Sequence, residues 1–213
     1  QEWQKINLQL SCSRAKNPPS SEHFRVAFFL RHWEYHIDRE KCLELLGKIG
    51  DIPRLELVII GHTRGRVVGG LTTKEEKTFL EKKNITYVSA GDQSTSLIAD
   101  SNMVVAYGTS IAFEALLQNV VICNPTFLTS NETIFNGSGV VYEAATIEDA
   151  IGFIDNQMNK TPWAPERPVV QVFLKKHLSD GNDPASILDK YKALVLGQTI
   201  VSQGLNVSNA SVQ

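Results

Sequence analysis

The fold predicted for this chain is a doubly wound α/β domain on a parallel sheet, and three observations carry that prediction. Along the 213 residues, apolar runs of strand length alternate with segments whose apolar residues recur at helical spacing. Several of the runs are almost continuously apolar, as strands covered on both faces are. Composition agrees: 42% hydrophobic and 21% charged residues are ordinary values for a globular protein. A chain of this length buries a core without disulfides or a structural metal.

The elements follow in order. Residues 1–22 carry polar clusters and Asn17-Pro18-Pro19-Ser20-Ser21, which read as a linker or N-terminal extension. Phe24 to Leu30 is the first strand, and Asp38 to Ile49 has apolar residues at helical spacing. Leu55 to Ile60 is the second strand. Thr73 to Lys83 is a helix opened by Thr73 with Glu76 three residues on, the pattern of a capping box. Ile85 to Val88, Met103 to Tyr107 and Val120 to Cys123 are further strands, separated by helices over Asp92 to Asp100 and Ser110 to Gln118. Val140 to Tyr142 is a last strand, followed by helices over Thr146 to Met158, Pro168 to Lys176 and Pro184 to Leu196. The domain therefore spans 23–196, and 197–213 is a polar tail without periodicity.

Lys and Arg number 21 against 23 Asp and Glu, a formal net charge of −2. That balance gives no global attraction to nucleic acid, so no nucleic-acid partner is expected and any anion site must be local. Cys12, Cys42 and Cys123 are too few and too scattered for a disulfide framework, and Cys123 reads as a small buried hydrophobe. No run approaches ~18 apolar residues, and the expected location is cytoplasmic. Six of the thirteen Asn residues open an Asn-x-Ser/Thr triplet, a modest excess that argues mildly for an exposed, modified surface.

In an open parallel sheet, ligands bind beyond the carboxyl ends of the strands, so the turns there are where polar residues invite a functional reading. Arg31-His32-Trp33-Glu34-Tyr35-His36 follows the first strand, and Gly61-His62-Thr63-Arg64-Gly65-Arg66 the second. Tyr107-Gly108-Thr109-Ser110 follows the fourth, and Asn124-Pro125-Thr126-Phe127 the fifth. Gly108 permits a tight turn and a close backbone approach, while Thr109 and Ser110 put hydroxyls and free N–H groups at a helix start. Such a start seats a phosphate or diphosphate. Glu114, one helical turn on from Ser110, can accept hydrogen bonds from a ribose diol; the competing reading is an N-cap followed by a solvated Glu. His62 and Arg64 could add positive charge against the same phosphates, and Arg31 and His32 sit in the equivalent place on the first strand. No CxxC or paired-carboxylate spacing points to a metal, and GxGxxG and GxxxxGK[ST] are absent.

The stretch Ala99 to Pro125 (ADSNMVVAYGTSIAFEALLQNVVICNP) resembles part of the C-terminal, donor-binding domain of two-domain GT-B glycosyltransferases. There a strand leads to a Gly/Ser/Thr turn, a helix with a Glu-Ala pair, and a strand ending near a Pro. Ser179 to Ile187 is similar to the Asp-Gly segment that opens a late helix in capsule polysaccharide, Kdo-transferring and CDP-glycerol transferase-like proteins. The resemblance runs from Phe24 to Leu196 and implies a Rossmann-like GT-B half. It places the donor diphosphate or monophosphate on Gly108, Thr109 and Ser110 and the ribose on Glu114. It also matches the family's basic loop, often a His-Pro, to Gly61-His62-Thr63-Arg64, with Thr63 where Pro is usual.

The function so implied is the donor-binding domain of a metal-independent glycosyltransferase or glycerophosphotransferase of cell-surface polysaccharide biosynthesis. Its substrate would be a nucleotide-activated sugar, with no cofactor. His62 and Arg64 would be the catalytic groups, and Arg31 and His32 would join the substrate-binding set. The acceptor would lie on an N-terminal domain for which 213 residues leave no room, and the parent enzyme would associate peripherally with membrane. The alternatives are half of a nucleotide-sugar epimerase and a non-catalytic binding or assembly module.

Overall fold

A computed structural model describes residues 2–16, 23–62, 70–89, 94–159 and 162–179. Its centre is a six-stranded parallel sheet of order β3-β2-β1-β4-β5-β6, made of β1 (Phe24–Phe29), β2 (Leu55–Ile60), β3 (Ile85–Val88), β4 (Met103–Val105), β5 (Val121–Pro125) and β6 (Tyr142–Ala144). All five pairings are parallel. This is the doubly wound α/β fold that the alternation predicts. The inner strands are buried along nearly their whole length, while the edge strands β3 and β6 are only partly so. Continuous apolar runs are therefore confined to the strands that helices cover on both faces.

The helices are α1 (Glu2–Lys16), α2 (Arg39–Gly50), α3 (Thr73–Leu80), α4 (Ser94–Ala99), α5 (Ile111–Leu117), α6 (Ile147–Asn159) and α7 (Arg167–Ser179). One group packs α2 with α6, and another packs α1, α4 and α5 together. α2 starts where the Asp38 carboxylate accepts from Lys41 N at 3.1 Å. It buries Cys42, Leu45, Leu46 and Ile49 completely. Each such Leu or Ile contributes about 1.5–3 kcal/mol relative to an exposed one. Cys42 and Cys123 are both buried thiols, as expected for Cys123; loss of hydration pushes the Cys42 pKa up to about 12 and that of Cys123 higher still.

The chain divides into two compact units at Phe173 and Leu174. The first holds the whole sheet, and the described part of the second is the last stretch of α7, to Ser179. The helix expected over Pro184 to Leu196, the domain end at 196 and the tail 197–213 lie outside the described residues.

Two local differences from the sequence reading have clear causes. Residues 2–16, read as part of a linker, form α1. The helix has no apolar stripe and leaves Ile6 and Leu8 exposed, so periodicity could not reveal it. Polar contacts dock it instead: Gln118 Nε2 donates to Asn7 Oδ1 at 2.7 Å, and Asn119 Nδ2 to Ser11 Oγ at 2.7 Å. The capping box of α3 sits one residue earlier than predicted, on Thr72 and Glu75. Thr72 is extended, at φ −66° and ψ 159°, and its hydroxyl accepts from Glu75 N at 3.3 Å. Burial pushes the Glu75 carboxyl up, but hydrogen bonds from Thr72 and from Arg39, at 2.6 Å, outweigh it and leave the pKa below the usual value.

Candidate functional site

Strand order reverses between β1 and β4, the switch point beyond whose carboxyl ends open parallel sheets bind their ligands. Phe28 lies opposite Val105, and the loops leaving the two strands therefore start side by side. One loop brings Arg31 and the other Gly108. Gly108 has φ +57°, a left-handed conformation that side chains disfavour, and a Cβ built on it would run into Arg31 Nη1. The same Cβ would lie 3.1 Å from Thr133 Cγ2. Only glycine lets the guanidinium lie against this turn. Arg31 Nη1 is buried and has no hydrogen-bond partner among the described residues. Its Cζ stands 5.2 Å from the centroid of the Tyr35 ring.

Beside Arg31 the structure brings His32 and His62 together, with ring centroids 5.6 Å apart and planes at 85°. His32 is buried, its ring 4.8 Å from that of Tyr35. Its Nδ1 accepts from Glu34 N at 3.3 Å, which assigns the ring proton of the neutral form to Nε2. Arg64 lies outside the described residues. Trp33 is a loop anchor: its Nε1–H donates to Gly70 O at 3.1 Å, and Arg39 lies 5.2 Å from its ring centroid. His32 and His36 are four residues apart, a spacing that on a helix would favour a metal. Here the segment is a turn, with His36 exposed and at φ 55°. No group of three or more His, Cys, Asp or Glu side chains is placed to hold a metal among the described residues.

The Thr109-Ser110 turn follows Gly108 directly. Thr109 is half-buried and Ser110 exposed. Thr109 Oγ1 accepts weakly from Ile111 N, at 3.4 Å. Ser110 makes no capping bond through its side chain, contrary to the simple N-cap reading. Its backbone is already helical, at φ −61° and ψ −18°, whereas a capping hydroxyl needs an extended residue. Its hydroxyl is thus not committed to the helix. Glu114 is not a solvated surface residue: it is 8% exposed, and its Oε2 accepts from Thr95 Oγ1 at 2.7 Å. Thr95, nineteen residues earlier, carries no signal in the sequence that would pair it with Glu114.

No known protein-family profile matches the chain, and no curated protein matches it. Solved structures do. A glycosyltransferase from Rickettsia africae ESF-5 superposes with a TM-score of 0.55 and 11% identity over 88% of this chain. HepE from Anabaena, solved in complex with UDP, gives 0.52 and 12% over 90%. S. aureus TarM, solved as a mutant with fondaparinux, alpha-GlcNAc-glycerol and UDP, gives 0.52 and 13% over 84%. The chain spans 52%, 55% and 36% of those proteins respectively. At these identities the likeness is one of fold: a Rossmann-like parallel sheet flanked by helices, as in GT-B glycosyltransferases. No helix among the described residues is long and apolar enough to cross a membrane.

Proposed function

We propose that this chain is the donor-binding half of a metal-independent glycosyltransferase or glycerophosphotransferase of cell-surface polysaccharide biosynthesis, acting in the cytoplasm. The observation that carries the reading is the buried Nη1 of Arg31, unpartnered among the described residues, against Gly108 at the switch point of the sheet. A buried donor without an acceptor costs about 1–3 kcal/mol, more when charged, and an anion beside it removes that cost. The phosphate or diphosphate of a nucleotide-activated sugar is such an anion. Its oxygens would meet Arg31 on one side and the Thr109 and Ser110 hydroxyls on the other. HepE and TarM, which share the fold, were solved with UDP, and this supports the choice of ligand.

In this reading the protein contributes charge stabilisation. In sugar transfer the bond from the sugar carbon to the donor phosphate oxygen breaks, and in glycerol-phosphate transfer the P–O bond within the donor diphosphate breaks; in both, negative charge grows on the phosphate of the departing nucleotide. Preorganised donors already aimed at that charge lower the barrier most. Arg31 supplies a fixed guanidinium, and His62 and Arg64 would add charge from the neighbouring loop. The remaining lone pairs of the buried Glu114 carboxylate would accept from the ribose diol. The acceptor hydroxyl would be presented by a second domain, with peripheral membrane association belonging to the whole enzyme.

Calorimetry with UDP, CDP and CMP tests the proposal. At least one nucleotide is expected to bind, and Arg31→Met is expected to weaken it by about 10-fold or more, the scale of one charge-assisted hydrogen bond. If no nucleotide binds at millimolar concentration, the donor-domain reading is wrong.

A further inference from the structure

Glu114 does not stand alone. Its Oε2 holds the hydroxyl of Thr95, at 2.7 Å. The carbonyl of the same Thr95 accepts from Gln118 Nε2 at 3.0 Å. The second hydrogen of that amide goes to Asn7 Oδ1, at 2.7 Å. Asn7 and Gln118 are fully buried, and Glu114 nearly so. These groups link α1 to the carboxylate through Thr95 in α4. The Thr95 carbonyl can only accept, so the Gln118 amide must present Nε2 to it. Gln118 Oε1 is then left buried without a hydrogen-bond partner among the described residues. With that oxygen unpaired, the two donor bonds of the Gln118 amide are what fix its orientation, and the loss of either frees it to turn.

We infer that Asn7 is a positioning residue for the nucleotide site: through Gln118 and Thr95 it sets the orientation of Glu114. α1 is then part of the binding apparatus and not merely a leader to it. The inference rests on the reading of Glu114 as the ribose acceptor. Asn7 touches no ligand. Its effect falls on the ribose end, because Arg31 stands on the loop after β1 and the Thr109 and Ser110 hydroxyls, at the start of α5, take no part in these hydrogen bonds.

The test is the ratio of UDP to 2′-deoxy-UDP affinity, measured by calorimetry on the whole chain. Glu114→Gln checks the underlying reading: if this variant leaves the ratio unchanged, Glu114 does not meet the ribose and that reading fails first. Given a lowered ratio there, Asn7→Ala is expected to lower it about 5-fold, the scale of one net hydrogen bond, with 2′-deoxy-UDP affinity nearly unchanged. The double variant should lose no more than Glu114→Gln alone. Ser11→Ala removes the neighbouring clamp on α1 without touching the chain of contacts, and should leave the ratio as it is. An unchanged ratio in folded Asn7→Ala, or an equal loss in Ser11→Ala, overturns the inference. Should Asn7→Ala not fold, Gln118→Met, which deletes both donors, gives the same readout.

Discussion

Arg31 and Gly108, 77 positions apart in the chain, are in such close contact that no side chain can stand at position 108 without displacing the guanidinium. The contact exists because β1 and β4 are neighbours at the point where the strand order reverses. A half-buried guanidinium is thereby held against a turn of backbone, with its buried Nη1 unpartnered among the described residues.

Replacing this glycine should therefore add displacement of the Arg31 guanidinium to the backbone strain. Gly108→Ala is expected to lose about 2 kcal/mol or more and to lower Tm by about 4–8 °C, with nucleotide affinity falling as Arg31 is pushed aside. Gly137→Ala is the control, since Gly137 has φ +65° with nothing within 4 Å of a built Cβ. The two variants share the strain and differ in the collision, so thermal melting should move both similarly while calorimetry finds nucleotide affinity lowered in Gly108→Ala alone.

The two hydroxyls at helix starts should behave in opposite ways. Thr72 closes a complete capping box, and Thr72→Ala is expected to cost about 1 kcal/mol without affecting nucleotide binding. Ser110 makes no capping bond, so Ser110→Ala should change stability by less than about 0.5 kcal/mol while weakening nucleotide binding several-fold. Denaturant melts paired with calorimetry separate the two effects. A Ser110→Ala protein that is clearly destabilised yet binds normally would return this residue to a structural role.

Tyr142 offers a test of packing away from the site. Its ring stacks on Phe153 at 3.8 Å, and its hydroxyl donates to Asp149 Oδ1 at 2.6 Å. The bond to Asp149, then burial, pushes its pKa from 10.0 up to about 12. In the fold the hydroxyl keeps its proton when the unfolded chain has already released it. Its stabilisation is therefore complete below pH 10 and is lost as pH rises to about 12. Tyr142→Phe should keep the stack, cost about 1 kcal/mol at neutral pH, and lose less stability than the parent chain between pH 10 and 12. Urea melts across that range measure it.

The sheet was legible because each inner strand states its own environment: Val26 to Phe29 and Leu57 to Ile60 are apolar at every position, a pattern that only burial on both faces produces. The candidate site was proposed as a place, since a topological rule sends ligands to the turns after the strands. The contacts at that place were not legible. Nothing local to Ser110 says that its backbone turns helical one residue early and leaves the hydroxyl uncommitted. Nor does anything near Glu114 announce Thr95. Two adjacent threonines, Thr72 and Thr73, could each open α3, and the choice fell to the one left extended by the incoming chain.

Burial and periodicity are properties of short stretches, because a strand or helix exposes its preference within a few residues. The alternation of elements, the parallel sheet and the polar strand ends could therefore be read along the chain. Partnership between distant polar groups follows a different physics. The meeting of Arg31 with Gly108, of Asn7 with Gln118, and of Glu114 with Thr95 depends on which elements lie side by side and on hydrogen-bond geometry good to a few tenths of an ångström. Polarity in the sequence marks each of these residues as capable of a bond; only packing in three dimensions chose the partner, and left one nitrogen of Arg31 without one among the described residues.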